Sequence, residues 1–337
     1  MSGGIALAVR RYWDGKLGTH SWLLDLLLTP LSWLWAGVTA IRNARFDWAG
    51  GVRVSDLIVV SVGNLAVGGT GKTPIASWVA RQYVEDGLRP ALLLSGYGRD
   101  EKLLHAKWTA DVPVLVARDR VTTARRARTV GCHVAVMDDG FQHRALERDL
   151  DIVVIAAEDP FPGRPLPRGP YREGPKALAR ADVVLVTRRT ASEADARTLA
   201  ERAREWAPDA VTAGVHFSGG RLMDLNGQAH TDSLGDVLAV AAIGRPATFE
   251  WAVAGLVDGS VELRAFPDHH EYTERDVARL KARAGDRPIV VTEKDAVKLA
   301  IHRERIGGVY VLSQSLAWDW GEDEVRSALP RPRGREG

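Results

Sequence analysis

From residue 57 onward, short apolar runs alternate with stretches in which apolar residues recur every three or four positions. The runs Leu57–Val62, Ala91–Ser95, Val112–Val116, His133–Met137, Asp151–Ala156, Asp182–Thr187, Val237–Ile243, Pro288–Thr292 and Gly308–Leu312 are continuous and bounded by Gly, Asp or Pro. Such runs predict strands covered on both faces, as in parallel α/β sheets. Helical spacing occupies Pro74–Asp86, Ala191–Trp206 and Thr273–Ala284, and Thr190 with Glu193 reads as a capping box. The rhythm pauses through Ala213–Ser233, which predicts a boundary after Trp206 and a second, smaller α/β domain. The expected divisions are a helical N-terminal segment over 1–55, a core over 56–210, the second domain over 211–320 and a tail over 321–337. Within the core, the Pro- and Gly-rich stretch Asp159–Pro175 predicts a long irregular loop, a feature that is usually functional or disordered.

Ahead of this pattern lies Trp22–Ile41, WLLDLLLTPLSWLWAGVTAI, long enough for a bilayer, which needs about 20 apolar residues. Its polar residues Asp25, Thr29, Ser32 and Thr39 are spaced 4, 3 and 7, in helical phase. A helix lying in the membrane interface would keep that stripe wet and sink Trp22, Leu26, Trp33, Leu34 and Ile41. A span would bury Asp25 at a cost of at least a few kcal/mol. Arg10, Arg11 and Lys16 before the segment, with Arg42, Arg45 and Arg53 after it, suit anionic headgroups. The interfacial helix is the reading taken, with a span and the core helix of a soluble domain as its alternatives. Residues 1–12 lack the basic start and unbroken apolar run of a secretory signal.

Composition narrows the class. Apolar residues at 45% and charged residues at 26% exclude a disordered, collagen-like or polytopic membrane protein. A single cysteine, Cys132, excludes a disulfide framework and CxxC metal sites. A formal charge of +2 is too balanced for a broad cationic face on nucleic acid. Of eleven tryptophans, Trp13, Trp22, Trp33 and Trp35 fall in the first 35 residues, and tryptophan suits the headgroup boundary.

Two motifs carry chemistry. Between the strand Leu57–Val62 and the helix near Pro74 stands AVGGTGKT, Ala66 to Thr73, the pattern of a P-loop with Ala66 in place of its first glycine. Gly68, Gly69, Thr70 and Gly71 would turn backbone N–H groups towards a phosphate, Lys72 would meet the β/γ-phosphates, and Thr73 would give its hydroxyl to Mg²⁺. The run His133–Met137 ends in Asp138 and Asp139, as a Walker B carboxylate does beside a P-loop. Gly140 allows a sharp turn, and Gln142 and His143 reach the carboxyl edge of the sheet, where α/β ligands bind. His143 is equally readable as a satisfied structural histidine. The fold class implied is α/β, with a P-loop NTPase-type parallel sheet.

Seven blocks now occur in one order: Gly68–Pro74, Ser95–Glu101, Asp138–His143, Arg168–Leu178, Ala242–Phe249, Phe266–His270 and Thr292–Leu299. Together they resemble the tetraacyldisaccharide 4'-kinase family of lipid A biosynthesis. The resemblance implies an enzyme that uses ATP and Mg²⁺ to phosphorylate the 4'-hydroxyl of tetraacyldisaccharide 1-phosphate, making lipid IVA. It further implies a peripheral or monotopic protein on the cytoplasmic face of the inner membrane, with no nucleic acid and no obligate protein partner. Carried over by block, Lys72 and Thr73 hold nucleotide and metal, and Asp138 and Asp139 shape the magnesium site. Asp100 matches the acidic block as base, and His269 of Asp268-His269 would orient it. Arg172 and Glu173 match an Arg-Glu pair near metal and phosphates, with Glu173 on the metal and Arg172, Gln142 and His143 towards the acceptor. The chain departs from the family pattern in lacking an arginine before Gly96, in a shorter spacer ahead of Asp100, and in Gly174 before Pro175.

Thr292-Glu293-Lys294-Asp295 reads either as a nucleotide-base contact or as a helix cap. The basic loop Arg164–Arg172 reads as a grip on substrate phosphates or as a solvated loop. The rival functions are a membrane-associated P-loop GTPase or metallochaperone-type NTPase, and a nonenzymatic nucleotide sensor.

Overall fold

The computed structural model describes residues 8–9, 11–13, 15, 21–96 and 99–332. In chain order the first elements are α1 (Ser21–Ala49), β1 (Ile58–Asn64), α2 (Lys72–Glu85), β2 (Pro90–Leu94), α3 (Arg99–Trp108), β3 (Val114–Val116) and α4 (Arg120–Thr129). There follow β4 (Val134–Asp138), β5 (Leu150–Ala156), β6 (Val183–Arg188), α5 (Glu193–Arg204), β7 (Val211–Asp224), β8 (Val237–Ala241) and α6 (Pro246–Ala254). The last are β9 (Val261–Ala265), α7 (Glu274–Ala284), β10 (Ile289–Thr292), α8 (Glu293–Leu299), β11 (Val309–Trp320) and α9 (Glu322–Ala328). The chain forms two compact units: Met1–Tyr97, His105–His216 and Trp318–Gly337 make one, and Gly98–Leu104 with Phe217–Ala317 the other.

In the first unit the strand order is β3-β2-β4-β1-β5-β6-β7, and the pairings from β3 to β7 are parallel. One cluster joins Val59, Leu93, Ala135 and Met137 to Val121, Ala124 and Ala127 of α4. Another joins Val153, Ile155, Val184 and Val186 to Ala196, Leu199 and Ala203 of α5. Helical cover leaves no wet side for alternate residues, which is why these strands read as unbroken apolar runs. The second unit has the order β11-β10-β8-β9. Its sheet packs Val291 and Leu238 against Val277 and Leu280 of α7, and Val290, Ala239 and Ala241 against Phe249 and Val253 of α6.

Three elements differ from expectation. β7 runs through the predicted pause: its Gly- and Ser-bearing sequence lacks an apolar run, and Gly214 is small because the Trp320 ring fills the space a Cβ would take. β9 is a half-exposed strand at the end of the sheet order, with no second covered face to fill. The segment read as a tail folds onto the first unit as α9, with Val325 and Leu329 buried and Pro330 O accepting from Tyr83 Oη at 3.1 Å. The α5 capping box is Ser192 with Asp195, two residues beyond Thr190 and Glu193, because the backbone N–H groups of Arg189 and Thr190 are taken by Glu158.

The polar stripe of α1 is not wet. Ser32 is 2% exposed, donates to Pro165 O at 3.2 Å and accepts from Arg168 N at 3.2 Å. Asp25 accepts from Tyr12 Oη at 2.6 Å, Arg164 Nη1 at 3.0 Å and Arg168 Nε at 3.1 Å. Further along, Trp35 Nε1 donates to Arg172 O at 2.9 Å, and Arg144 Nη2 donates to Asp47 at 2.6 Å. The irregular loop 159–175 bonds partly to residues 65–67 and to itself, and the stripe pairs with Pro165 O and Arg168 N, since buried carbonyls and N–H groups must be paired. The helix therefore lies along its unit rather than projecting from it, and the core-helix reading fails because only 6% of its apolar window is buried. Leu27, Leu34, Ile41 and Trp48 face outward.

Candidate active site

β1 delivers the chain to the phosphate loop, and the parallel register of Val62 with Asp138 sets the end of β4 beside it. Gly68 and Gly71 take φ of 136° and 93°, values that side-chain-bearing residues resist. A Cβ on Gly68 or Gly69 would meet nothing within 4 Å, so the loop leaves open space there. Ala66 needs no left-handed backbone; it is 5% exposed and forms a bridge with Tyr171, which explains why alanine serves at the first motif position. Thr70 braces the loop: its Oγ1 accepts from Asn64 Nδ2 at 3.0 Å and its carbonyl from Thr187 Oγ1 at 2.8 Å. Lys72 opens α2, with Nζ 3.4 Å from Gly68 O and 3.5 Å from Asp139 Oδ1.

The two aspartates diverge. Asp139 carries the positive φ of this turn, 55°, while Gly140 is required by crowding, since a Cβ there would lie 2.7 Å from Met137 Cβ and 2.9 Å from Ser61 Oγ. Arg172 Nη1 donates to both Asp139 oxygens at 3.0 Å and to Gln142 Oε1 at 3.2 Å. Burial acts to raise the Asp139 carboxyl, but Lys72 and Arg172 outweigh it and hold the group below the ordinary carboxylate value. Asp138 points elsewhere: it is 3% exposed, its Oδ2 lies 3.0 Å from His105 Nε2, and its buried Oδ1 has no hydrogen-bond partner. His105 and its second partner Ser77 carried no motif signal, because each sits singly on a helix.

Thr73, Asp138 and Asp139 are hard oxygen donors, and the orphaned Asp138 Oδ1 fits a magnesium ion, which typically takes one or two carboxylates and completes its shell with phosphates and water. Among the described residues no three His, Cys, Asp or Glu side chains gather as a ligand set. Glu173 keeps one carboxylate oxygen, Oε1, buried without a hydrogen-bond partner. It is 4% exposed, and its Oε2 accepts from Asn43 Nδ2 at 2.7 Å and Arg180 Nη2 at 2.9 Å, so it ties the loop to α1.

Trp35, Thr39, Arg42, Gln142, Leu166, Arg172 and Glu173 line a cavity of about 260 Å³. Gln142 holds its place by donating to Asn64 O at 2.8 Å, and Arg42 donates to Gln142 O. His143 is absent from the lining; burial, with Arg120 nearby, lowers its pKa, and its Nε2 is buried without a partner. In the basic loop, Arg164 and Arg168 bind Asp25, with the Arg164 side chain still more than half exposed.

In the second unit, His269 takes φ of 60° and stands beside Asp268, with Lys294 Nζ 3.2 Å from Asp268 Oδ1 and 3.4 Å from His269 Nε2. The side chain of Asp100 lies outside the described residues, and so does its pairing with His269. Thr292 caps α8, its Oγ1 accepting from Asp295 N at 3.1 Å. Asp295 is fully buried, accepting from Ala242 N at 3.0 Å and Tyr272 Oη at 3.0 Å. These bonds favour the cap over a base contact.

Comparison with known proteins bears on this geometry. The family model described as Tetraacyldisaccharide-1-P 4'-kinase matches residues 24–331. A tetraacyldisaccharide 4'-kinase of Anaeromyxobacter sp. (strain Fw109-5) is 41% identical over 361 aligned residues, covering 95% of each chain. One from Halorhodospira halophila (strain DSM 244 / SL1) is 37% identical over 305, covering 82% of this chain and 86% of its own. The crystal structure of LpxK from Aquifex aeolicus in complex with ATP shares the fold, with TM-score 0.68 at 24% identity over 89% of this chain and 96% of that one. With a P-loop, a divergent carboxylate pair and a family match spanning nearly the whole chain, this protein belongs to the tetraacyldisaccharide-1-phosphate 4'-kinase family.

Proposed function

We propose that this chain uses ATP and Mg²⁺ to phosphorylate the 4'-hydroxyl of tetraacyldisaccharide 1-phosphate at a membrane surface. The observation that carries the reading is the P-loop set against Asp138 and Asp139 in a chain of this family. Gly68, Gly69 and Gly71 cradle phosphate oxygens with backbone N–H groups. Lys72 moves from its resting contact with Asp139 to the β/γ-phosphates, and Arg172 is the second cation at the same carboxylate. Thr73, Asp138 and Asp139 would hold Mg²⁺, which when bound neutralises charge on the transferring phosphoryl group. Glu173 braces the loop through Oε2, bonded to Arg180 and Asn43, and its unpartnered Oε1 stays a candidate oxygen for the metal.

The cavity beneath α1 suits the acceptor headgroup, with Arg172 and Gln142 as polar contacts and Arg42 beside them. His143 lies outside that lining and is left as a structural residue. A carboxylate accepting the hydroxyl proton contributes about 10²–10⁴-fold; Asp100 is proposed for that role, with His269 as its orienting partner. The outward apolar face of α1 supports a seat at the lipid interface, on the cytoplasmic side where ATP is available.

Incubation with γ-labelled ATP, Mg²⁺ and tetraacyldisaccharide 1-phosphate in detergent, followed by lipid extraction, tests the reading. Label is expected in the lipid phase and is expected to vanish with Lys72→Ala. An unlabelled lipid phase from folded protein overturns it.

A further inference from the structure

Beneath the phosphate loop runs a buried polar chain that the reading above leaves unused. Ser77 on α2 is 2% exposed, His105 on α3 is fully buried, and Asp138 at the end of β4 is 3% exposed. Ser77 Oγ lies 2.8 Å from His105 Nδ1, and His105 Nε2 lies 3.0 Å from Asp138 Oδ2. A carboxylate only accepts hydrogen bonds, so Nε2 carries the proton; in the neutral ring Nδ1 is then the acceptor, and the Ser77 hydroxyl donates to it. The carboxylate sets the direction of the first bond, and the second runs from Ser77 to His105 when the ring is neutral.

We infer that His105 is a positioning residue for Asp138: it pins Oδ2 and leaves Oδ1 as the carboxylate oxygen available to the metal. The remaining anchor of Asp138 is its main chain, whose carbonyl accepts from Arg120 Nη2 at 2.7 Å. That bond fixes the backbone and leaves the carboxylate torsion to His105. Torsional freedom matters because Oδ1 is buried and has no protein partner, so an unpinned carboxylate would rotate either oxygen towards the histidine or the loop. Ser77 acts one step further out by holding the tautomer that His105 needs. Outer partners of this kind are worth about 10- to 100-fold in metal affinity or activity.

This inference rests on Asp138 being a metal carboxylate, and the experiment separates the two. Full-length protein is titrated with Mn²⁺ in the presence of a non-hydrolysable ATP analogue, and bound metal is followed by electron paramagnetic resonance. In parallel, kcat and the KM for ATP are measured at fixed Mg²⁺. His105→Leu, which fills the space without donating, is expected to weaken Mn²⁺ binding by about 10- to 100-fold and to lower kcat more than it raises the KM for ATP. His105→Gln, with an amide N–H at similar reach, is expected to recover binding to within about threefold of the unaltered protein. Ser77→Ala weakens binding when His105 is present and has no further effect in the His105→Gln background; it carries the test if His105→Leu does not fold. Unaltered Mn²⁺ binding in His105→Leu and Ser77→Ala, alongside loss in Asp138→Asn, overturns the role of His105 alone. Retained Mn²⁺ binding in Asp138→Asn overturns the metal reading and this inference with it.

Discussion

The outer line of α1 gives the sharpest test of membrane contact. Leu27, Leu34 and Ile41 stand seven residues apart, opposite the stripe of Asp25 and Ser32, and are 67%, 64% and 74% exposed. Full burial of such a side chain is worth about 1.5–3 kcal/mol, so the exposed part of each offers about 1–2 kcal/mol. At interfacial depth roughly half of that is realised, which gives about 1.5–3 kcal/mol for the three together, or about 10- to 150-fold in partition. The triple substitution Leu27→Ser, Leu34→Ser, Ile41→Ser is therefore expected to move the protein from the pellet to the supernatant in sedimentation with phosphatidylethanolamine–phosphatidylglycerol vesicles. The thermal midpoint should hold, because exposed side chains away from special contacts change stability by only about 0.5 kcal/mol. Partitioning within about twofold of the unaltered protein, far short of the area estimate, would refute interfacial seating of this face.

Three further outcomes test individual residues. Asp319 is 4% exposed and accepts from Arg188 Nη2 at 2.7 Å and His216 Nδ1 at 2.8 Å; burial pushes its carboxyl up, but the hydrogen bonds from Arg188 and His216 hold it below the ordinary value. Asp319→Asn should cost about 2–4 kcal/mol at neutral pH, discounted for the partly exposed arginine. A depressed carboxylate stabilises the fold above its unfolded value, so the gap between variant and parent in urea unfolding should close as pH falls below about 4; a gap constant down to pH 3 contradicts the pairing. Ala66→Gly restores the motif's glycine where no left-handed backbone is needed, so kcat should stay put while unfolding reports a loss of about 0.5–1 kcal/mol. Thr292→Ala should cost about 0.5–2 kcal/mol by removing the α8 cap and leave the KM for ATP unchanged; a raised KM would favour the base-contact reading instead.

Strands covered on both faces and a glycine-rich phosphate loop are written locally, which is why β1, β4, β5 and β6 and the Lys72 and Asp138–Asp139 placements follow from the residues. β9 escaped because an edge strand alternates with water and carries no apolar run. β7 escaped because Gly214 and its neighbours are chosen for Trp320, a residue about a hundred positions away. The same distance hid the site's support. Glu173 reads as a metal ligand beside Arg172, and only the folded chain shows that Asn43 and Arg180 hold its Oε2 and leave Oε1 without a partner. His105 carries no spacing at all, and only the folded chain brings it to Asp138.

Polar positions on an amphipathic helix are usually assigned to water, and α1 shows why that assignment needs a partner search first. Asp25 and Ser32 face guanidinium and carbonyl groups of the loop 159–175, while Trp35 and Asn43 reach Arg172 and Glu173 at its far end. Arg172 in turn binds Asp139, the carboxylate beside Lys72. The tryptophan-rich start is accordingly split by function. Trp13 and Trp35 give their indole N–H groups to Pro167 O and Arg172 O, while Trp22 and Trp33 remain 59% and 72% exposed. A helix that was only a lipid anchor would have no reason to carry carboxylate, hydroxyl and amide groups on the side away from lipid. These groups are explained by a helix whose inner face shapes the loop and cavity beside the phosphate site while its outer apolar face is left for the proposed membrane contact.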